Sequence, residues 1–232
     1  MAQIYFDGKQ LPRAQRRYVA FVDIMGTQAH MTKSTVIAAN FIFKLHAAVL
    51  DAWKNEKYED VFVYPVMDGV YITAARKEDI EKIIVRVFSG IAELQIGEKN
   101  PAHRFIVRGS IAFGEVIHGH HVPYSASKVF EIDLNYKNNI LLGPAMILAY
   151  SGEGKAAPFG VYIDSSAIDN GNGRGFSASW KWHMSKTLKI KENIQQDLCE
   201  AVLGYFDATS EYPKLEEHKR CAKEYLMCCE SC

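Results

Sequence analysis

Residues 17–27, RYVAFVDIMGT, constrain the fold more than any other part of the chain. Tyr18, Val19, Ala20, Phe21, Val22 and Ile24 have strong strand character and surround one carboxylate, Asp23. A buried strand does not normally tolerate a lone acid, because desolvating a carboxylate costs several kcal/mol unless it is paired or binds a metal. Met25, Gly26 and Thr27 then lead towards a helix. An acid at a strand end followed by glycine can hold a metal, and a phosphate can approach the exposed backbone N–H groups there. The plainer alternative is a strand-end Asp that caps the next helix.

At 232 residues the chain has the length of one large domain, or of one domain with an appendage. A chain of this size buries roughly 70–75% of its unfolded surface, so it needs no disulfide or structural metal to fold. Lys plus Arg and Asp plus Glu both number 27, which excludes a global basic field that would recruit nucleic acid. The apolar runs fall short of the ~20 residues that cross a bilayer, and residues 1–17 lack an apolar signal core. A cytoplasmic protein, with neither membrane nor nucleic acid as partner, is the expectation. All five cysteines lie late, at 199, 221, 228, 229 and 232. Without a paired CxxC knuckle they read as reduced thiols beside a terminal helix rather than as a zinc site.

Residues 1–16 read as an arm with a short IYF strand and a Pro-Arg linker, and residues 27–33 as a loop. Residues 34–54 have helical spacing and are apolar over more than one stripe, which predicts burial against two surfaces. Strands at 61–66 and 70–74 flank Met67-Asp68-Gly69, a hairpin signal. A second helix spans 78–96, and a long strand runs over 104–117. Gly109 and Gly114 within it point to a bulge or a close backbone approach. Further on come a helix from about 142, a strand at 158–164, a possible strand around Trp180–His183, and helices at 190–206 and 212–227. The order strand–helix–strand–strand–helix–strand predicts an α+β fold: a split βαβ (ferredoxin-like) sheet with helices on one face and a C-terminal helical extension. The expected division is an arm over 1–16, a catalytic domain over 17–170, and an extension over 171–232 packed on the same domain.

In that order the first strand and the hairpin are neighbours, so Asp23 and Asp68 can face each other across one sheet edge. Two carboxylates and the Ile24 carbonyl make a hard oxygen site suited to Mg2+ or Mn2+, with substrate phosphates completing the shell. Two ions at such a site can activate a hydroxyl and stabilise an in-line displacement at phosphorus. A turn Asp that needs no metal is the structural alternative for Asp68.

These motifs resemble those of the class III nucleotidyl cyclases. FVDIMG is similar to their first metal-binding strand, VMDGVYI to the hairpin with the second metal Asp, RGSIAFGEVIHG to the following strand, and ILLGPAMILAY to a helix that starts after a glycine. The resemblance covers roughly residues 17–165 in the same linear order. It implies catalytic, metal-binding roles for Asp23 and Asp68, with Ile24 as a third metal ligand and two Mn2+ or Mg2+ ions per site. The departures are specific. The purine-reading Lys, four residues before the second metal Asp, is Tyr64 here. The helix Asn and Arg, four and eight residues after Gly143, are Ile147 and Ser151.

With an aromatic at that Lys position and Arg108 on the next strand, the chain most resembles the pyrimidine cyclases of the Pycsar antiphage system. That resemblance implies conversion of UTP to 3′,5′-cyclic UMP and pyrophosphate in bacterial antiphage defence, by a homodimer with composite sites whose product gates a separate effector. Cyclisation of CTP, or a catalytically silent cyclase fold that binds a nucleotide, are the alternatives. The implied substrate-binding residues are Phe21, Gly26, Thr27, Tyr64 and Arg108. A polymerase-palm-like or diguanylate cyclase domain shares the core, but the hairpin tip is MDG rather than GG[DE]EF.

Overall fold

The computed structural model describes residues 5–168, 175–209 and 214–227. At its centre is a six-stranded sheet: β1 (Gln15–Ile24), β2 (Val61–Val66), β3 (Gly69–Ala74), β4 (Val107–His118), β5 (Leu141–Leu142) and β6 (Val161–Ile163). The order is β2-β3-β1-β4-β5, and β6 pairs in parallel with the start of β4. β1 lies between β3 and β4, antiparallel to both. Both its faces are covered, which is why its sequence stays apolar instead of alternating.

Tyr18, Ala20, Val22 and Ile24 face the larger core, which they share with Phe41 and Leu45 of α2 (Thr35–Lys54) and with Ile80, Ile84 and Phe88 of α3 (Lys77–Gly97). Val19 and Phe21 point the other way. They join Tyr64, Tyr71, Ala112 and, beyond the short helix α4 (Leu134–Asn138), the inner side of α5 (Pro144–Glu153), namely Ala145 and Ala149. Gly143 permits that approach: its φ is 143°, and a Cβ there would lie 2.2 Å from the Glu115 carbonyl oxygen. The fold is the expected α+β split βαβ sheet, but the expectation of helices on one face is corrected: α5 covers the second face, because Val19, Phe21 and Ala112 leave that face apolar too. After the short helix α6 (Ser165–Ile168), Leu198, Val202, Tyr205 and Phe206 of α7 (Ile194–Ala208) and Leu226 of α8 (Leu215–Met227) enter the larger core.

Several local expectations are corrected. Residues 27–33 are not a loop but a helix, α1 (Thr27–Lys33), which starts from left-handed Gly26 and packs His30 edge-on against Phe41, ring centroids 5.2 Å apart. The hairpin turns through Met67 and Asp68, with Met67 taking the positive φ of 49°, while Gly69 already belongs to β3. α2 buries one stripe only. Val36, Phe43 and Leu50 on its outer side stay exposed, so the described residues provide no second surface for it. Around Trp180 there is no strand but a single 3-10 turn, Trp182–Met184. It buries the Trp182 indole, whose Nε1 donates to the Phe159 carbonyl at 2.8 Å. Tyr5 and Phe6 form no arm strand and are exposed.

By length and composition α2 could cross a membrane, yet Ala38, Phe41, Leu45, Val49 and Ala52 are buried within the fold. Cys199 and Cys221 are free thiols. Cys228, Cys229 and Cys232 lie outside the described residues.

Candidate active site

β1 carries Asp23 two residues beyond Phe21, on the α5 side of the sheet, where its cross-strand partners are Gly69 of β3 and Arg108 of β4. The hairpin turn therefore sets half-buried Asp68 beside half-buried Asp23. Glu153, at the end of α5 and 9% exposed, closes the group and accepts from Arg108 Nε at 2.7 Å. Burial, then the neighbouring Asp68 and Glu153 charges, push the Asp23 carboxyl up to about 7. The Ile24 backbone N–H and the Arg108 guanidinium pull it the other way and are outweighed.

Asp23 Oδ1 is buried with no hydrogen-bond partner. An orphaned carboxylate oxygen, in a field already too negative, is a place for a cation. The Ile24 carbonyl accepts from Thr27 Oγ1 at 3.0 Å, which leaves it a second lone pair. The donor set therefore fits Mg2+ or Mn2+ in part: Asp23, Asp68 and the Ile24 carbonyl on one side, with water and substrate oxygens needed on the other. Among the described residues no cluster of three or more His, Cys, Asp or Glu side chains is poised to enclose an ion without such outside ligands. Gly26, with φ 75°, turns the chain out of β1, and Thr27 is buried beneath it at the start of α1.

Tyr64 and Arg108 do not converge within one chain. Tyr64 is 3% exposed, and a hydrogen bond joins its hydroxyl to His118 Nδ1, towards the far end of β4. Burial raises its pKa, while burial and the Arg17 charge lower His118 to about 3, so the pair is neutral at pH 7. Phe21 lies between Tyr71 and Tyr150, with ring centroids 4.6 Å and 5.3 Å away. Ile147 and Ser151, which stand at the Asn and Arg positions of the resembled family, are on the exposed side of α5.

Three residues near Asp23 escaped the sequence reading: Glu153, Tyr71 and Tyr150. Burial raises the Tyr71 hydroxyl to about 12, with Tyr150 and Asp23 adding to the shift. A signal for Glu153 was present, since it continues the Ala145–Ala149 spacing and so puts an acid on the buried stripe of α5.

No protein-family model matches the chain, and no curated protein matches it. Solved structures are similar in chain path. One is the guanylyl cyclase domain of the RhoGC fusion protein from the aquatic fungus Blastocladiella emersonii: 17% identity, covering 67% of this chain and 84% of that one, TM-score 0.49. Another is the guanylate cyclase domain of RhGC from Catenaria anguillulae in complex with GTP: 15% identity, 67% and 81% covered, TM-score 0.47. A bacterial light-regulated adenylyl cyclase matches at 16% identity over 62% of this chain, which spans 41% of that one, with TM-score 0.47.

Proposed function

We propose that this chain is a metal-dependent nucleotidyl cyclase that converts a pyrimidine nucleoside triphosphate, UTP foremost, to its 3′,5′-cyclic monophosphate. The observation that carries the proposal is Asp23: a half-buried acid with an unpartnered Oδ1 at the end of the central strand, facing a second acid across the hairpin turn. Asp23, Asp68 and the Ile24 carbonyl would hold the divalent ion, which when bound supplies charge neutralisation at the phosphates and acidity at the ribose hydroxyl.

In the reaction the 3′ oxygen bonds to the α-phosphorus, the bond to the β-phosphate oxygen breaks, pyrophosphate leaves, and the hydroxyl proton passes to water. Gly26 and Thr27 bring backbone N–H groups to the same corner. Phe21, packed between Tyr71 and Tyr150, keeps Asp23's strand neighbour apolar and dry. Tyr64 in place of the purine-reading Lys supports the pyrimidine preference. CTP remains the competing substrate, and a separate effector protein would receive the cyclic product in antiphage defence.

The test is pyrophosphate release from UTP, CTP, ATP and GTP, with Mn2+, Mg2+ or a chelator. Metal-dependent release from a pyrimidine triphosphate is expected, and preference for ATP or GTP would overturn the base assignment. A silent nucleotide-binding protein is the second reading, favoured by Ile147 and Ser151 on the outer side of α5. No release from any of the four would establish it.

The proposal includes a homodimer with composite sites. Ile147, Leu148 and Tyr150 leave an apolar strip exposed along α5, with Ile147 at 61% exposure, close to Phe21 and Tyr71. Burial of such a strip by a second copy is favourable at roughly 25 cal/mol per Å2. Specific activity should therefore fall on dilution below the dimer constant, in step with the monomer fraction seen by sedimentation. Constant specific activity in a monomer would exclude the composite site.

A further inference from the structure

At the end of β4 away from Asp23, the sequence His118-Gly119-His120-His121 gathers three imidazoles that the cyclase reading leaves without a task. The rings of His118 and His120 lie 5.1 Å apart, and those of His120 and His121 lie 4.1 Å apart. Phe62 of β2 packs its ring 5.1 Å from His118 and 4.3 Å from His120, and the Arg17 guanidinium sits 5.3 Å over the same ring. Lys137 of α4 is near enough for its charge to act on His120, and its Nζ donates to the Val122 carbonyl at 2.9 Å. Arg17 is 3% exposed, Lys137 4% and His118 not at all, whereas His121 is open to solvent.

Three buried nitrogens in this group have no hydrogen-bond partner: Arg17 Nε, His118 Nε2 and His120 Nε2. Native folds rarely leave such groups unpaired, so a ligand that suits them is implied. The sign of that ligand follows from the charges. The buried cations are Arg17 and Lys137. The carboxylate that acts on these rings, Asp60, pairs with Arg17 at 2.9 Å and has a 45% exposed side chain. Burial and then Arg17 lower His118 to about 3, and burial, His121 and Arg17 lower His120. Both rings are therefore neutral at pH 7 and serve as N–H donors, not as charges. A metal ion would meet a positive field here, whereas an anion meets donors and two buried cations.

We propose that the turn at the end of β4 binds one small inorganic monoanion, of halide or nitrate size, between the Nε2–H groups of His118 and His120, with the buried charges of Arg17 and Lys137 balancing it. The site goes beyond the cyclase reading and does not rest on it. His121 at the surface gives the anion a way in. An anion at Nε2 keeps the His118 proton there, so Nδ1 accepts from the Tyr64 hydroxyl. It thereby fixes Tyr64 of β2 to the end of β4, two strands that no backbone pairing joins.

Bromide is the probe. Melting temperature would be followed at pH 7 and fixed ionic strength while sodium gluconate, too bulky for a site between two imidazoles, is replaced by sodium bromide. Wild type should gain stability saturably, with half-saturation in the millimolar range. His120→Phe keeps an aromatic ring against Phe62 and removes one donor, and Lys137→Met keeps the apolar stem and removes one charge. Each should weaken bromide binding by about tenfold, read from the half-saturating concentration and not from the variant's own melting temperature. Identical melting in bromide and gluconate would overturn the inference, and so would a bromide response that both folded variants keep. A response that needs molar bromide would mark an adventitious ion only, and would overturn it as well. Should His120→Phe fail to fold, Lys137→Met decides. The outcome is independent of whether the chain cyclises any triphosphate.

Discussion

Asp23→Asn is expected to abolish turnover and yet melt several degrees higher than wild type at pH 8. The sign follows from where the proton sits. An ordinary aspartate titrates at 3.8, whereas Asp23 in the folded chain titrates at about 7. Between these values the native state keeps a proton that the unfolded chain has released. Native stability therefore falls as pH rises from 3.8 through about 7, and the loss is complete above that.

The burden is on the order of a few kcal/mol, at ~1.4 kcal/mol per unit. For a domain of this length each kcal/mol moves the melting temperature by about 2–4 °C. Asparagine carries no charge to desolvate and can donate to Asp68 or Glu153, so the variant should lose this pH dependence. A divalent cation should raise the melting temperature of the wild type at pH 8 and leave the variant unmoved. Melting curves at pH 5 and pH 8, with and without Mn2+, make the comparison. A variant no more stable than wild type at pH 8 would mean that Asp23 is not the strained acid. Retained cyclisation would remove it from the metal site.

Asp23 was legible because a strand buried on both faces leaves an unbroken apolar run, against which one acid stands out. Asp68 was legible because Asp-Gly between β-rich segments marks a hairpin, although the positive φ went to Met67. What stayed hidden depended on long-range packing. Residues 27–33, TQAHMTK, show no apolar period, and α1 forms there because Gly26 starts it and His30 finds Phe41 and the Tyr205 hydroxyl, the latter at 3.1 Å. Strand alternation puts Tyr64 on the correct face but does not fix where its hydroxyl points. His118, 54 residues away, captures it. The same holds for Arg108, whose partner Glu153 lies 45 residues further on and meets it only when α5 packs across β4.

That pairing changes the outcome expected for Arg108→Ala. A base-reading role predicts a loss confined to the preferred pyrimidine triphosphate. With Nε held by Glu153 and the guanidinium beside Asp23, the loss should instead fall on UTP, CTP, ATP and GTP alike. Its size should be roughly 10²-fold or more in kcat/KM, as for loss of a charged hydrogen bond worth ~3 kcal/mol. The single variant also strands Glu153, a buried acid left without its cation, which typically costs about 3–5 kcal/mol. Arg108→Ala/Glu153→Gln removes that burden, so it should fold like wild type and still show the uniform loss. Arg108→Lys keeps a charge but not the fixed two-sided fork, and should recover part of the rate for every substrate. A loss restricted to UTP and CTP in the folded double variant would instead assign Arg108 to the base.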